Sequence, residues 1–135
     1  MRTLSTEIGR VVTVRLNRGE DLLESTNQAV RESKIQNGLV LAGVGSVSQY
    51  RLHVVKTTNM PPGSLIFNGE GPYDILSLTG LIIDGRIHAH VTLSDAEQAI
   101  GGHLEEGCKV LSFAVVVFAE TPNVRYTDWD KVGEV

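Results

Sequence analysis

The chain has 135 residues, 41% of them hydrophobic and 21% charged, with a net charge of −4, which suits one ordinary globular domain spanning 1–135. That negative balance argues against generic affinity for a polyanion, because such binding rests on Lys and Arg neutralising phosphates. The single cysteine, Cys108, excludes an internal disulfide framework, and the longest apolar run, Phe113–Ala119, is too short to span a bilayer. Met1-Arg-Thr-Leu-Ser-Thr-Glu7 is followed by no apolar stretch. The expectation is therefore a cytoplasmic protein with no signal peptide and no membrane partner.

Arg10–Leu16 alternates and is β-branched, so it reads as a first strand. Asn17-Arg-Gly19 turns the chain. Glu20–Gln36 reads as the main helix, with Leu22, Leu23, Ala29, Val30 and Ile35 forming an incomplete apolar stripe. Glu20 and Asp21 fall in its first turn and Arg31 and Lys34 near its end, as the helix dipole favours. Asn37-Gly38 is the expected stop. Leu39–Val47 reads as a second strand. Its Gly43 and Gly45 fit neither a Walker loop nor a dinucleotide fingerprint, and imply close strand packing or approach to a ligand or subunit.

Tyr50–Val55 reads as a third strand. Its His53 is taken as a surface or packing residue. Thr57–Gly63 is a loop with Pro61-Pro62, Ser64–Asn68 a short strand, and Gly69-Glu-Gly-Pro72 a sharp turn. Tyr73–Ile83 reads as a strand. Asp84-Gly85 suits a type I′ hairpin into the next strand, because both central residues of that turn need positive φ. Lys109–Glu120 is the last strand, and its continuous apolar run suggests cover on both faces. The tail carries Tyr126 and Trp129, and wraps either a neighbour or the domain's own surface.

Between those last strands lies the stretch with the most chemistry. Of the four histidines, His88, His90 and His103 sit here. On a strand Ile87–Leu93, side chains two apart point the same way, so Ile87, Ala89, Val91 and Leu93 form one face while His88 and His90 share the other. Asp95–Ile100 reads as a polar connection. Gly101-Gly102 then lets the backbone turn tightly and bring His103 back near a neighbouring strand. Two readings fit this spacing: ordinary surface histidines, or an open three-His zinc site. Imidazole also suits copper, iron and nickel. Asp95, Glu105 and Glu106 are the carboxylates available in sequence to orient the rings. Asp74 is a weak candidate for a catalytic acid, with a solvated turn carboxylate as the plainer role, which is also the one favoured for Glu70. Cys108 precedes a buried strand and reads as a small core thiol rather than a ligand.

Asp74-Ile-Leu-Ser-Leu-Thr-Gly80, His88-Ala-His-Val-Thr-Leu-Ser-Asp95 and Gly101-Gly-His-Leu-Glu-Glu-Gly-Cys108, with Gly19–Leu23 and Leu41–Ser46 upstream, closely resemble the PPC domain family of stand-alone prokaryotic type. The resemblance runs from about Arg10 to Glu120. It implies an α/β (α+β) fold like that of acetolactate decarboxylase: a mixed, largely antiparallel sheet with one main helix. It also implies a homotrimer, and a metal centre at His88, His90 and His103 with zinc as cofactor. Asp74 departs from the family, where a Glu commonly precedes Ile-Leu-Ser-Leu. In plants the domain follows DNA-binding hooks, and no such hook occurs here. Two functions follow from the resemblance. One is a metal-binding protein, a small lyase or hydrolase acting on a carbonyl compound. The other is a non-catalytic regulatory or DNA-associated module; strong nucleic-acid binding by this chain alone is not expected.

Overall fold

The computed structural model describes residues 1–135 in full. It contains one helix and six strands: β1 (Val11–Asn17), α1 (Leu22–Glu32), β2 (Gly38–Val55), β3 (Ser64–Ile83), β4 (Arg86–Ser94), β5 (Ala99–Leu104) and β6 (Lys109–Glu120). All pairings are antiparallel, in the order β1-β6-β2-β3-β4-β5. β5 also pairs with β2, which closes β2-β3-β4-β5 into a small barrel. An antiparallel sheet with a single helix is the expected α+β fold, and no parallel pairing makes the sheet mixed.

The helix is shorter than its apolar pattern suggests. Asp21 is its N-cap, accepting from the Leu23 and Glu24 amides, rather than a residue of the first turn. The Asp21 carboxylate also accepts from the Gly107 amide at 2.7 Å, which ties the start of the helix to the turn before β6. Leu22, Thr26 and Val30 form the fully buried stripe. The helix stops at Ser33, and Lys34 takes φ 57°, so Asn37-Gly38 is not the stop. Those two residues do other work. Asn37 Oδ1 accepts from the Tyr126 amide at 2.8 Å, and a Cβ at Gly38 would lie 2.1 Å from the Ala119 carbonyl oxygen.

Several boundaries merge. Leu39–Val47 and Tyr50–Val55 are one strand, β2, and Ser64–Asn68 and Tyr73–Ile83 are one strand, β3. Gly69–Pro72 is therefore a bulged part of β3 and not a sharp turn; the register shifts between Val47 and Gln49 opposite it, and Gly71 sits at φ 137°. The bulge lets two long strands bend around the barrel without losing their pairing. Asp84 and Gly85 have φ 50° and 81°, the I′ turn expected of them.

Inward residues from all the main strands form one core that includes Leu16, Leu52, Leu78, Ile82, Leu93 and Phe118. A smaller cluster of Ile83, Val124 and Tyr126, packed by Leu81 and Trp129, seats the tail on the chain's own surface. Cys108 is fully buried, and burial pushes its thiol up to about 11. It is the inert core thiol expected of it. No helix is long and apolar enough to cross a membrane.

Candidate metal centre

β4 alternates as its sequence requires. Ile87, Ala89, Val91 and Leu93 are buried, and His88 and His90 lie on the opposite face. His103 arrives by a different route from the expected one. Gly101-Gly102 does not turn; it lies inside β5, which docks between β4 and β2. The glycines matter because of how closely that strand is held. A Cβ at Gly101 would meet the Val91 carbonyl oxygen at 2.9 Å, and one at Gly102 would meet the His53 carbonyl oxygen at 2.7 Å. Register then places His103 directly opposite His90 on one side and His53 on the other.

One ligand nitrogen from each of His88, His90 and His103 falls within 4.8 Å of the others. His103 Nδ1 lies 3.2 Å from His88 Nε2. Zinc–nitrogen bonds of about 2.0–2.1 Å in a tetrahedral site imply an N···N edge of roughly 3.3 Å, so this pair is already spaced for one ion. His88 Nδ1 contacts Asp130 Oδ2 at 3.1 Å. An ionised carboxylate can only accept, so Nδ1 carries the proton and Nε2 presents its lone pair toward His103. Burial alone would raise the Asp130 carboxyl, but the His88 hydrogen bond and the Arg86 charge, 3.5 Å away, outweigh it and hold the group below its usual range. Asp130 Oδ1 is buried and has no partner.

Two of the three rings, His90 and His103, are biased toward the neutral form that binds metal. Burial first, then the charges of His88 and His53, brings His103 down to about 4 against the opposing pull of Glu105. His90 is lowered by burial and by the same two neighbours. His53, taken from sequence as a packing residue, stands at the edge of this cluster. Its ring stacks on His103 at 4.2 Å, and its Nδ1 meets Glu105 Oε1 at 2.5 Å.

The other carboxylates read from sequence sit elsewhere. Asp95 accepts from the Glu97 and Gln98 amides of its own turn. Asp74 pairs with Ser94, whereas Thr79 is the β3 residue opposite His90, so Asp74 lies farther along the strand and away from the histidines. It lines an open groove of about 720 Å³ with Ser46, Tyr73, Leu76, Ser94 and Asp95. Asp130 was not found in the sequence, because nothing in the tail's spacing says which residue returns to β4. His53 was missed because a single His on a strand carries no sign of its cross-strand neighbour.

The sequence profile of the Plants and Prokaryotes Conserved (PCC) domain matches residues 3–122. The chain is 33% identical over 119 residues to the bifunctional protein GlmU of Synechococcus sp. strain JA-2-3B'a(2-13); that match takes in 87% of this chain but only 18% of the relative's length. Among solved structures, a metal-containing protein from Archaeoglobus fulgidus is 25% identical with a TM-score of 0.75, over 90% of this chain and 89% of that one. A plant- and prokaryote-conserved (PPC) protein from Pyrococcus horikoshii has 23% identity and a TM-score of 0.78, over 93% and 87%. The fold extends to alpha-acetolactate decarboxylase from Bacillus subtilis, at 15% identity and a TM-score of 0.57, over 82% of this chain and 52% of that one. With its motifs, its barrel and a profile match across most of its length, the chain belongs to the Plants and Prokaryotes Conserved domain family.

Proposed function

We propose that His88, His90 and His103 hold one divalent metal ion, with zinc as the preferred metal, and leave a fourth position open to water or a small ligand. The observation that carries this reading is the convergence of three ligand nitrogens within 4.8 Å, two of them 3.2 Å apart. The similarity to a metal-containing archaeal protein supports it. Asp130 holds His88 with its ligating nitrogen inward, and burial keeps His90 and His103 from being protonated at neutral pH. A bound zinc ion would supply a Lewis acid able to polarise a carbonyl oxygen or lower the pKa of a bound water to about 7. The reaction class that suits such a site is a lyase or hydrolase step on a small carbonyl compound.

The working form we propose is a homotrimer. Leu41, Val44, Leu76 and Phe113 are exposed on the faces of β2, β3 and β6 away from the core. Scattered single apolar residues need no explanation, but a set on adjoining strands favours an interface.

The test is elemental analysis of protein loaded with zinc and then dialysed, in the wild type and in His88→Ala, His90→Ala and His103→Ala. Each variant is expected to hold at least one equivalent of zinc less than the wild type. Equal zinc in all four proteins would refute the site.

A further inference from the structure

The histidine cluster extends past the three residues on β4 and β5. β2 contributes His53, directly opposite His103 in the sheet register. The two rings stack at 4.2 Å with an interplanar angle of 29°. Glu105, just beyond the end of β5, reaches back to His53 Nδ1 at 2.5 Å. One nitrogen of His53, one of His103 and a carboxylate oxygen of Glu105 lie within 4.8 Å of one another. The His53 and Glu105 side chains are about a quarter exposed, at 25% and 27%, so an ion can enter yet is partly shielded. His103 is the only residue common to this set and the three-His set.

We propose that His53, Glu105 and His103 form a second divalent-metal position beside the first, with His103 shared between them. The proposal rests on the three-His reading for its partner site. Two imidazoles and one carboxylate with open positions form a donor set suited to iron(II), while imidazole with carboxylate also accommodates zinc and manganese. The cation takes the place of the hydrogen bond between His53 and Glu105: His53 would bind through one ring nitrogen as a neutral imidazole with its single proton on the other, and Glu105 would bind as a carboxylate. With both positions filled, each ring nitrogen of His103 binds one ion, and the ring releases its remaining proton to solvent. Glu105 and the resulting imidazolate each bring a negative charge, which offsets the repulsion between two neighbouring cations. His53 lies across from His103 on the β2 side of β5 and His90 on the β4 side.

The experiment is a metal titration of the metal-free protein with zinc chloride and, separately, cobalt(II) chloride. Bound metal is read by equilibrium dialysis and elemental analysis. The wild type is expected to take up two equivalents. His53→Ala should take up one, and Glu105→Gln should weaken the second equivalent by about tenfold or more, on the scale seen when a metal site loses a supporting group. His90→Ala should lose the other equivalent and keep the one at His53. Glu105→Gln keeps the shape of a side chain outside the strands, so it stays informative should His53→Ala disturb the β2–β5 pairing; circular dichroism checks the fold of each. A single equivalent in the wild type, unchanged by both His53→Ala and Glu105→Gln, overturns the second position. A single equivalent that His53→Ala removes and that His88→Ala and His90→Ala retain supports it, and overturns the three-His reading instead.

Discussion

Asp130 reaches the centre from the C-terminal segment, and its carboxylate decides which nitrogen of His88 faces the other rings. Asp130→Asn should therefore lower zinc affinity by about 10- to 100-fold with little change in circular dichroism, since outer carboxylates both fix the tautomer and raise ligand basicity. Competition with a chelating dye measures it; unchanged affinity would show that the contact is only a surface ion pair. His103 makes a second prediction, about pH. Its folded value of about 4 lies below the ordinary 6.5, so between those values the unfolded chain binds more protons than the folded one. Metal-free protein should then lose stability as pH falls from about 6.5 toward 4. Urea midpoints at pH 7 and pH 4.5 test the sign, and His103→Gln should flatten the dependence. At this scale the His88–His90 pair was legible in sequence, because a strand's period of two is a local rule. Asp130 and His53 were not, because each meets its partner through a contact distant in sequence.

β5 is the element on which the centre depends, and it is poorly marked. Ala99-Ile-Gly-Gly-His-Leu104 has two glycines and little β-branched content, so its intrinsic preference for a strand is weak. It is extended because β4 and β2 supply hydrogen-bonding edges on its two sides. The same glycines that hide the strand from a sequence reading allow it to fit. Gly102→Ala would press a methyl group to 2.7 Å from the His53 carbonyl oxygen. The expected cost is about 1–3 kcal/mol, typical of overpacking, together with weakened metal binding, because His103 moves with the strand. Thermal or urea unfolding, paired with zinc retention, measures both; full stability with full zinc would contradict the tight docking of β5. The merging of β2 and of β3 has a similar origin. Glycines and a proline that read as punctuation are spent on bulges within continuous strands.

For the whole molecule, the single helix on a largely antiparallel sheet was legible from patterning, since seven apolar β-like runs and one helical stretch leave few arrangements. The closure of the barrel by β2 and β5 was not, because strand partners far apart in sequence leave no local signature. Two expectations belong to this scale. Light scattering at micromolar concentration should give about three times the 14.6 kDa of one chain, and a stable monomer would count against the proposed trimer. Leu76→Glu or Val44→Glu should break that assembly by burying a charge at the interface. A short DNA duplex should bind only weakly at physiological salt, given the net charge of −4. Tight binding that falls steeply with ionic strength would contradict this.

The seating of the tail on Ile83 has one more outcome. Trp129, the chain's sole tryptophan, packs on Tyr126 and immediately precedes Asp130. The segment that orients His88 therefore carries its own fluorophore. Whatever favours the ion must favour the docked segment by the same free energy, and the reverse holds equally. Removal of the proposed ion by a chelator should shift the indole emission and speed tryptic cleavage within the tail, so that Trp129 would report loading of the proposed site without an added label.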